Sequence, residues 1–279
     1  MRILILGASG FVGSALSVQL AREHEVVGTS RRGQGLVPLD LADADADAVR
    51  ALVGGGFDVV VHTAGLVDLA AAQRDPDAAY AANVAPMPVL LDAVVDAGAK
   101  LVYLSTDNVF DGTRESYDET ALRSPINVYG CTKASAEQRV LQRDGHLVIR
   151  LPLVYGRSPA SDKFLARFTA PVIEARTDIV GTPLYLPALA PLLVELLDET
   201  GVVHLAGPEP ISRYDLMVHV RDRLGAATRV VPTDIDSAPP DCPRPRRLIL
   251  RSVRHPRTGP DVDTALADLI GPGRTPPAR

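Results

Sequence analysis

The chain has 279 residues, 46% hydrophobic and 23% charged, with a formal net charge of −5 at pH 7. That length suits one large domain or two smaller ones, and the apolar share is enough for a sizeable core. A mildly acidic balance offers no electrostatic footprint for nucleic acid or an anionic membrane surface. Cys131 and Cys242 lie far apart without metal-ligand spacing, so neither a disulfide framework nor a zinc site is expected. The opening MRILILGASG is too short and too Gly-rich for a secretory leader. Apolar runs read as shorter than a membrane span, so the expectation is a soluble, cytoplasmic protein.

Short apolar runs at 2–6, 25–29, 58–62, 101–105 and 147–150 read as buried strands. Helical spacing occupies 11–22, 45–53, 78–97 and 129–142 between them. Buried strands alternating with helices predict an α/β fold, a doubly wound parallel sheet covered on both faces. After residue 150 the alternation fades. The stretch 151–176 reads as irregular with one helical turn or so at 164–168, 181–199 as a short strand and helix, 201–206 as a strand, and 213–224 as an amphipathic helix. Ten of the 23 prolines lie beyond residue 230, which predicts short helices and many loops there.

Gly7, Gly10 and Gly13 form G-x-x-G-x-x-G directly after the first strand and at the start of the first helix. In such a Rossmann loop, which here also holds Ser9, Phe11 and Val12, glycines let the backbone approach a pyrophosphate that free helix N–H groups can bind. The second strand ends Gly28-Thr29-Ser30 and runs into Arg31-Arg32, with no acid to hold a ribose 2′-hydroxyl. Ser30, Arg31 and Arg32 suit a 2′-phosphate, which favours NADP(H); a solvated Arg-Arg turn is the alternative. The expected organisation is a cofactor domain over 1–157, to which 177–200 returns, and a smaller, irregular α/β substrate part over 158–176 and 201–270. A disordered tail is expected at 271–279.

Tyr129 and Lys133, four residues apart, share one face of a helix. With seven tyrosines and three lysines the spacing arises by chance roughly 0.08 times per chain, so it counts as a signal. A phenol titrates near pH ~10, and an ammonium one turn away is expected to lower that value toward the useful range. Thr106 ends the fourth main strand, where its hydroxyl could bond a carbonyl oxygen that gains negative charge. His62 and Cys131 read as packing residues. Asn83 fits either an internal bond or a water relay, Asp107 a sugar contact or the start of a turn, and Asp40 an adenine contact or a loop acid.

The segments GASGFVG, STDNVFDG, YGCTK and RLPLVYG resemble the extended short-chain dehydrogenase/reductases, and among them the dTDP-4-dehydrorhamnose reductase-like (RmlD-like, sugar-nucleotide-binding) group. GTPLYLPALA and GVVHLAG extend the likeness over most of 1–250. The resemblance implies a Thr106, Tyr129, Lys133 triad, with Gly10, Phe11 and Val12 on the pyrophosphate. It places Asp40 and Leu41 on the adenine, and Thr63, Ala64 and Gly65 at the middle of the cofactor. Thr106, Asp107, Asn108 and Leu153 would face the substrate. Arg244, Arg246 and Arg247 form a candidate phosphate clamp, or else a solvated basic loop.

Departures bear on the substrate. An aromatic residue usual in the group is Asn108 here, its tryptophan is Leu153, and the chain has no tryptophan. An acidic residue usual after the glycine loop is Ala15, so no metal is expected, while a homodimer stays open. The implied function is an NADPH-dependent ketoreductase of a nucleotide-activated sugar or similar polyhydroxylated ketone, with a different keto-substrate from dehydrorhamnose. The alternatives are an NAD-retaining epimerase or dehydratase, against which Asn108 and the arginine pair speak, and a non-catalytic binding subunit, against which Tyr129 and Lys133 speak.

Overall fold

The computed structural model describes residues 1–271 apart from 34, 44, 161, 162, 238–240 and 257; nearly all of the tail expected at 271–279 lies outside the described residues. The first part of the chain runs β1 (Arg2–Leu6), α1 (Phe11–Leu20), β2 (Glu25–Ser30), β3 (Val37–Pro38), α2 (Ala46–Val53) and β4 (Val59–His62). There follow α3 (Leu69–Arg74), α4 (Pro76–Asn83), α5 (Met87–Asp96), β5 (Lys100–Thr106), α6 (Val128–Val140) and β6 (Leu147–Leu151). The rest comprises β7 (Val154–Tyr155), α7 (Lys163–Ala166), β8 (Val172–Arg176), β9 (Val180–Gly181), β10 (Leu184–Tyr185) and α8 (Leu186–Glu195). It ends with β11 (Gly201–His204), β12 (Ile211–Ser212), α9 (Arg213–Leu224), β13 (Arg229–Thr233), β14 (Arg247–Leu248) and α10 (Val262–Ile270).

Seven strands pair in parallel in the order β3-β2-β1-β4-β5-β6-β11. Alternate side chains of each strand enter different cores, which is why the strands are apolar throughout. Ile3 and Ile5 pack with Leu16, Leu189 and Leu193 on one face, whereas Leu4 and Leu6 pack with Val49, Leu90 and Val94 on the other. A third core holds Tyr155, Phe164, Leu216, Val220 and Leu266 in the later part of the chain. The strand order reverses between β1 and β4, so a crevice opens at their carboxyl ends.

Two expectations are corrected. The helix expected at 78–97 is two, α4 and α5, because Pro86 has no N–H and the chain turns there before Met87. The irregular stretch 151–176 holds β8, which pairs in parallel with β13, Val172 against Arg229 through Arg176 against Thr233. Neither strand has a local partner, and half-exposed short strands carry little apolar signal. The proline-rich end includes α10, started by Asp261 accepting from the Thr264 N–H at 2.7 Å.

One stretch, 76–96, does have the length and hydropathy of a membrane span, contrary to the reading of the apolar runs. Its apolar character has a use in the fold: Met87, Leu90, Leu91 and Val94 are buried in the second core.

Candidate active site

The glycine loop follows β1 at the reversal point. Gly7 has φ +87°, a conformation that side chains disfavour, and a Cβ on it would lie 2.8 Å from the Ala64 backbone. A Cβ on Gly13 would lie 2.3 Å from the Gly7 carbonyl oxygen and 2.7 Å from Thr63 Oγ1. Thr63 ties the end of β4 to this loop by donating to the Leu6 carbonyl at 2.8 Å. No side chain caps α1, so the first N–H groups of that helix, at Phe11 to Gly13, are free to meet an anion. Ser9 and Gly10 are exposed beside them. This cradle suits a pyrophosphate.

At the end of β2 the assignments divide. Ser30 is buried and its hydroxyl donates to the Gly33 carbonyl at 2.9 Å, so its proton serves the turn and not a phosphate. Arg31 and Arg32 are exposed, which leaves them the candidates for the phosphate. Asp40 accepts from the Ala42 N–H at 3.2 Å, while Leu41 packs against the second core.

Thr106 ends β5, next to β4 in the sheet. With strands about 4.8 Å apart, the ends of β1 and β5 are roughly 10 Å from one another, within the reach of a dinucleotide. Asn127 starts α6 by accepting from the Gly130 N–H at 2.8 Å. A Cβ on Gly130 would lie 2.1 Å from the Asn108 carbonyl oxygen; a glycine there lets the first turn of α6 press on the short 3-10 turn Asp107–Val109. Tyr129 consequently lies buried in hydrogen-bond reach of Thr106, and Lys133 lies buried against the Leu104 carbonyl, two residues before it on β5.

The electrostatics correct one expectation. The Tyr129 phenol is pushed above its ordinary value, mainly by burial and further by Asp107, while a hydrogen bond with Thr106 pulls the other way. The lysine does not offset this. Its Nζ donates to the Leu104 carbonyl at 2.7 Å and lies 4.0 Å from the centre of the Tyr103 ring. Burial lowers the Lys133 pKa to about 7, opposed by the Glu137 carboxylate.

The Thr106 hydroxyl donates to Asp107 Oδ1 at 3.2 Å and accepts from the Asn108 N–H at 3.2 Å. Asn108 Nδ2 donates to Asp107 Oδ1 at 2.9 Å, and its Oδ1 accepts from Asn127. Burial raises the Asp107 pKa to about 6, opposed first by Arg213. Asp107, Leu153, Ser212 and Arg213 border a cavity of about 20 Å³. A larger cavity, about 270 Å³, lies beyond Thr182 and is lined by His204, Arg251 and His255, with no member of the triad.

Arg213 is the residue that sequence reasoning missed. The Ser212–Asp215 cap, with the Asp215 N–H donating to Ser212 Oγ at 2.9 Å, was legible as a helix start, but nothing local aims Arg213 at Asp107. Of the proposed clamp, Arg246 pairs with Asp236 at 2.6 Å and also with Asp178, and Arg247 donates to the Glu115 carbonyl at 3.1 Å. These two brace loops. Arg244 lies within electrostatic reach of Arg213.

Other assignments sort simply. Asn83 is a strut: its amide donates to the Leu66 carbonyl and to Thr132 Oγ1, and its oxygen accepts from the Leu66 N–H. It thereby fixes the Thr63–Ala64–Gly65 turn to α6. His62 packs edge-on against Tyr103, with its pKa lowered to about 3 by burial and then by Lys133. Cys131 is exposed. Among the described residues no group of three or more His, Cys, Asp or Glu could hold a metal.

Residues 1–263 match the RmlD substrate binding domain family. The dTDP-4-dehydrorhamnose reductase of Mycolicibacterium smegmatis is 34% identical over 273 residues, covering 92% of this chain and 80% of the relative. The methionine adenosyltransferase 2 subunit beta of Xenopus tropicalis is 26% identical over 297 residues, covering 100% and 85%. The same fold is seen in a dTDP-4-dehydrorhamnose reductase from Bacillus anthracis solved in complex with NADP. There the TM-score is 0.87 at 24% identity, over 96% of this chain and 98% of that one.

Proposed function

The chain belongs to the RmlD substrate-binding family of extended short-chain dehydrogenase/reductases, and from that footing we propose that it is an NADPH-dependent ketoreductase. Its substrate would be the keto group of a nucleotide-activated sugar or a similar anionic, polyhydroxylated ketone. The observation that supports the reading is the burial of Thr106, Tyr129 and Lys133 around the end of β5, Tyr129 bonded to Thr106 and Lys133 to the Leu104 carbonyl, at the sheet edge that also bears the glycine loop.

The cradle at Gly7–Gly13 would hold the pyrophosphate, Arg31 and Arg32 the 2′-phosphate, and Lys133 the ribose nearest the reacting carbon. NADPH supplies the hydride when bound. Tyr129, kept protonated by its burial, gives its phenolic proton to the substrate oxygen, so hydride and proton together turn C=O into CH–OH. Thr106 would hold that oxygen in line once its hydroxyl turns from Asp107 Oδ1, a long bond at 3.2 Å, toward the substrate. On the far side Arg213 has Arg244 and Arg167 within electrostatic reach and a single opposing carboxylate, Asp107. That excess of positive charge suits a phosphorylated substrate.

Loss of NADPH absorbance with a panel of nucleotide-linked keto-sugars tests the reading. Turnover of one of them is expected; turnover only of ketones lacking a nucleotide overturns the substrate class. A second reading, a non-catalytic NADP-binding subunit, draws support from the likeness to methionine adenosyltransferase 2 subunit beta. It predicts cofactor binding without turnover of any ketone.

Cofactor choice gives a separate prediction. Each charge-assisted hydrogen bond contributes about 1.5–3 kcal/mol. The Arg31→Ala, Arg32→Ala double variant should therefore bind NADPH at least about tenfold more weakly by calorimetry, with NADH affinity nearly unchanged. Equal losses for the two cofactors would remove the arginines from the 2′-phosphate.

A further inference from the structure

Glu137 stands one helical turn beyond Lys133 on α6, with none of its side chain exposed. Arg150, at 3% side-chain exposure, grips it with two forks: Nε lies 3.0 and 3.2 Å from its two carboxylate oxygens, and Nη2 lies 2.8 Å from Oε2. Arg123 approaches the same oxygen at 3.4 Å from the half-buried side. The network continues. Arg150 Nη1 lies 3.3 Å from His204 Nε2, and His204 Nδ1 lies 3.0 Å from the Arg251 carbonyl. A carbonyl only accepts, so Nδ1 carries the proton and Nε2 accepts from Arg150. The imidazole is therefore neutral, and burial followed by Arg150 holds its pKa below the ordinary value.

A fully buried carboxylate is costly unless paired, and fastening α6 to β6 could have been done with apolar residues. What an apolar residue would lack is charge one turn from Lys133, at the i, i+4 spacing where opposite charges attract. We propose that Glu137 is a positioning residue for the reaction, the resident counter-charge that keeps the Lys133 ammonium charged and in place in a buried setting. This rests on the reading of Lys133 as part of the catalytic machinery. The other titratable groups facing Lys133 do not serve as that counter-charge. His62 on β4 is neutral and is itself disfavoured by the lysine. Tyr103 on β5 lies beneath Nζ as a ring whose phenol is raised by burial, and the Tyr129 phenol is raised too. In the absence of Glu137, burial alone would act on Lys133, whose pKa is already down at about 7.

The lysine content makes a direct test practical. Lys100, Lys133 and Lys163 are the only lysines in the 279 residues, so protein labelled with ¹³C at lysine Cε gives three signals, and Lys133→Met identifies one of them. Its titration is followed in the free protein, with no ketone or cofactor. Glu137→Gln keeps the shape and an acceptor for Arg150 but removes the charge, and should move the Lys133 midpoint about one pH unit toward acid. Arg123→Gln leaves Glu137 less neutralised and should move the midpoint the other way. Glu137→Asp, which restores the charge, should return it most of the way. Shifts of opposite sign for Glu137→Gln and Arg123→Gln are what a purely structural role would not produce. Midpoints that stay put in folded Glu137→Gln and Arg123→Gln overturn the proposal. If Glu137→Gln fails to fold, an alkaline shift in Arg123→Gln still supports it and an unmoved or acid-shifted midpoint there overturns it. Failure of the ketoreductase reading would show in the turnover assays and leave these midpoints unaffected.

Discussion

Tyr129→Phe is expected to lower the rate of the chemical step about 10²–10⁴-fold, the usual worth of general acid catalysis. The phenol is buried at 8% exposure, and phenylalanine fills the same space, so folding and NADPH affinity should hold. Single-turnover oxidation of NADPH by the true substrate reads the step itself. Because burial keeps the phenol above its ordinary value, the parent should hold its proton across the neutral range. A decline in rate between pH 7 and 9 would then belong to Lys133, whose pKa is about 7. A variant with near-normal rates would remove Tyr129 as the donor and leave the proton to another group.

The largest loss of stability should come from Arg150→Met. Methionine is close to arginine in length and apolar, but it leaves the Glu137 carboxylate buried with Arg123 alone at 3.4 Å. Removing one partner of a buried ion pair costs about 3–5 kcal/mol, a large share of the roughly 5–15 kcal/mol that holds an ordinary domain folded. Urea unfolding should show it. The double variant Arg150→Met, Glu137→Met should recover much of the loss, since no charge is then stranded. If the double variant is as unstable as the single, the penalty lies in packing around Phe110, whose ring centre is 5.1 Å from the Arg150 guanidinium, and not in the stranded charge.

The parallel sheet was legible because its strands are apolar on both faces and short; β1 was bounded to the residue, as was the helix at Arg213–Leu224. What stayed hidden has a common cause. β8 and β13 meet across more than 50 residues of chain, and pairing at that distance leaves no periodic trace in either segment. The site divides the same way. Thr106, Tyr129 and Lys133 are near one another in spacing and order, and the likeness to a known family carried them. Arg213 and Glu137 act through neighbours on other elements: Asp107 from the end of β5 and Arg150 from β6. The opposite error arose at Arg246 and Arg247, where three arginines within four residues suggested one purpose. The two are bound to Asp178, Asp236 and the Glu115 backbone.

The last strand of the central sheet has a consequence for synthesis. β11 pairs with β6 from Gly201 against Leu147 to His204 against Arg150, and α8, just before it, supplies Leu189 and Leu193 to the same core as Ile3 and Ile5. A nascent chain that has reached residue 151 therefore has six strands, an open edge at β6 and a bare apolar face. At about 5–20 residues per second, translation needs about 3–10 s more to deliver the strand and helix that close it. Over that interval β6 is an unpaired strand edge of the kind that recruits other chains. Leu147, Val148, Ile149, Arg150 and Leu151 place one arginine fourth of five along that edge. On the ribosome, the charge that clasps Glu137 would also act as a gatekeeper against premature pairing.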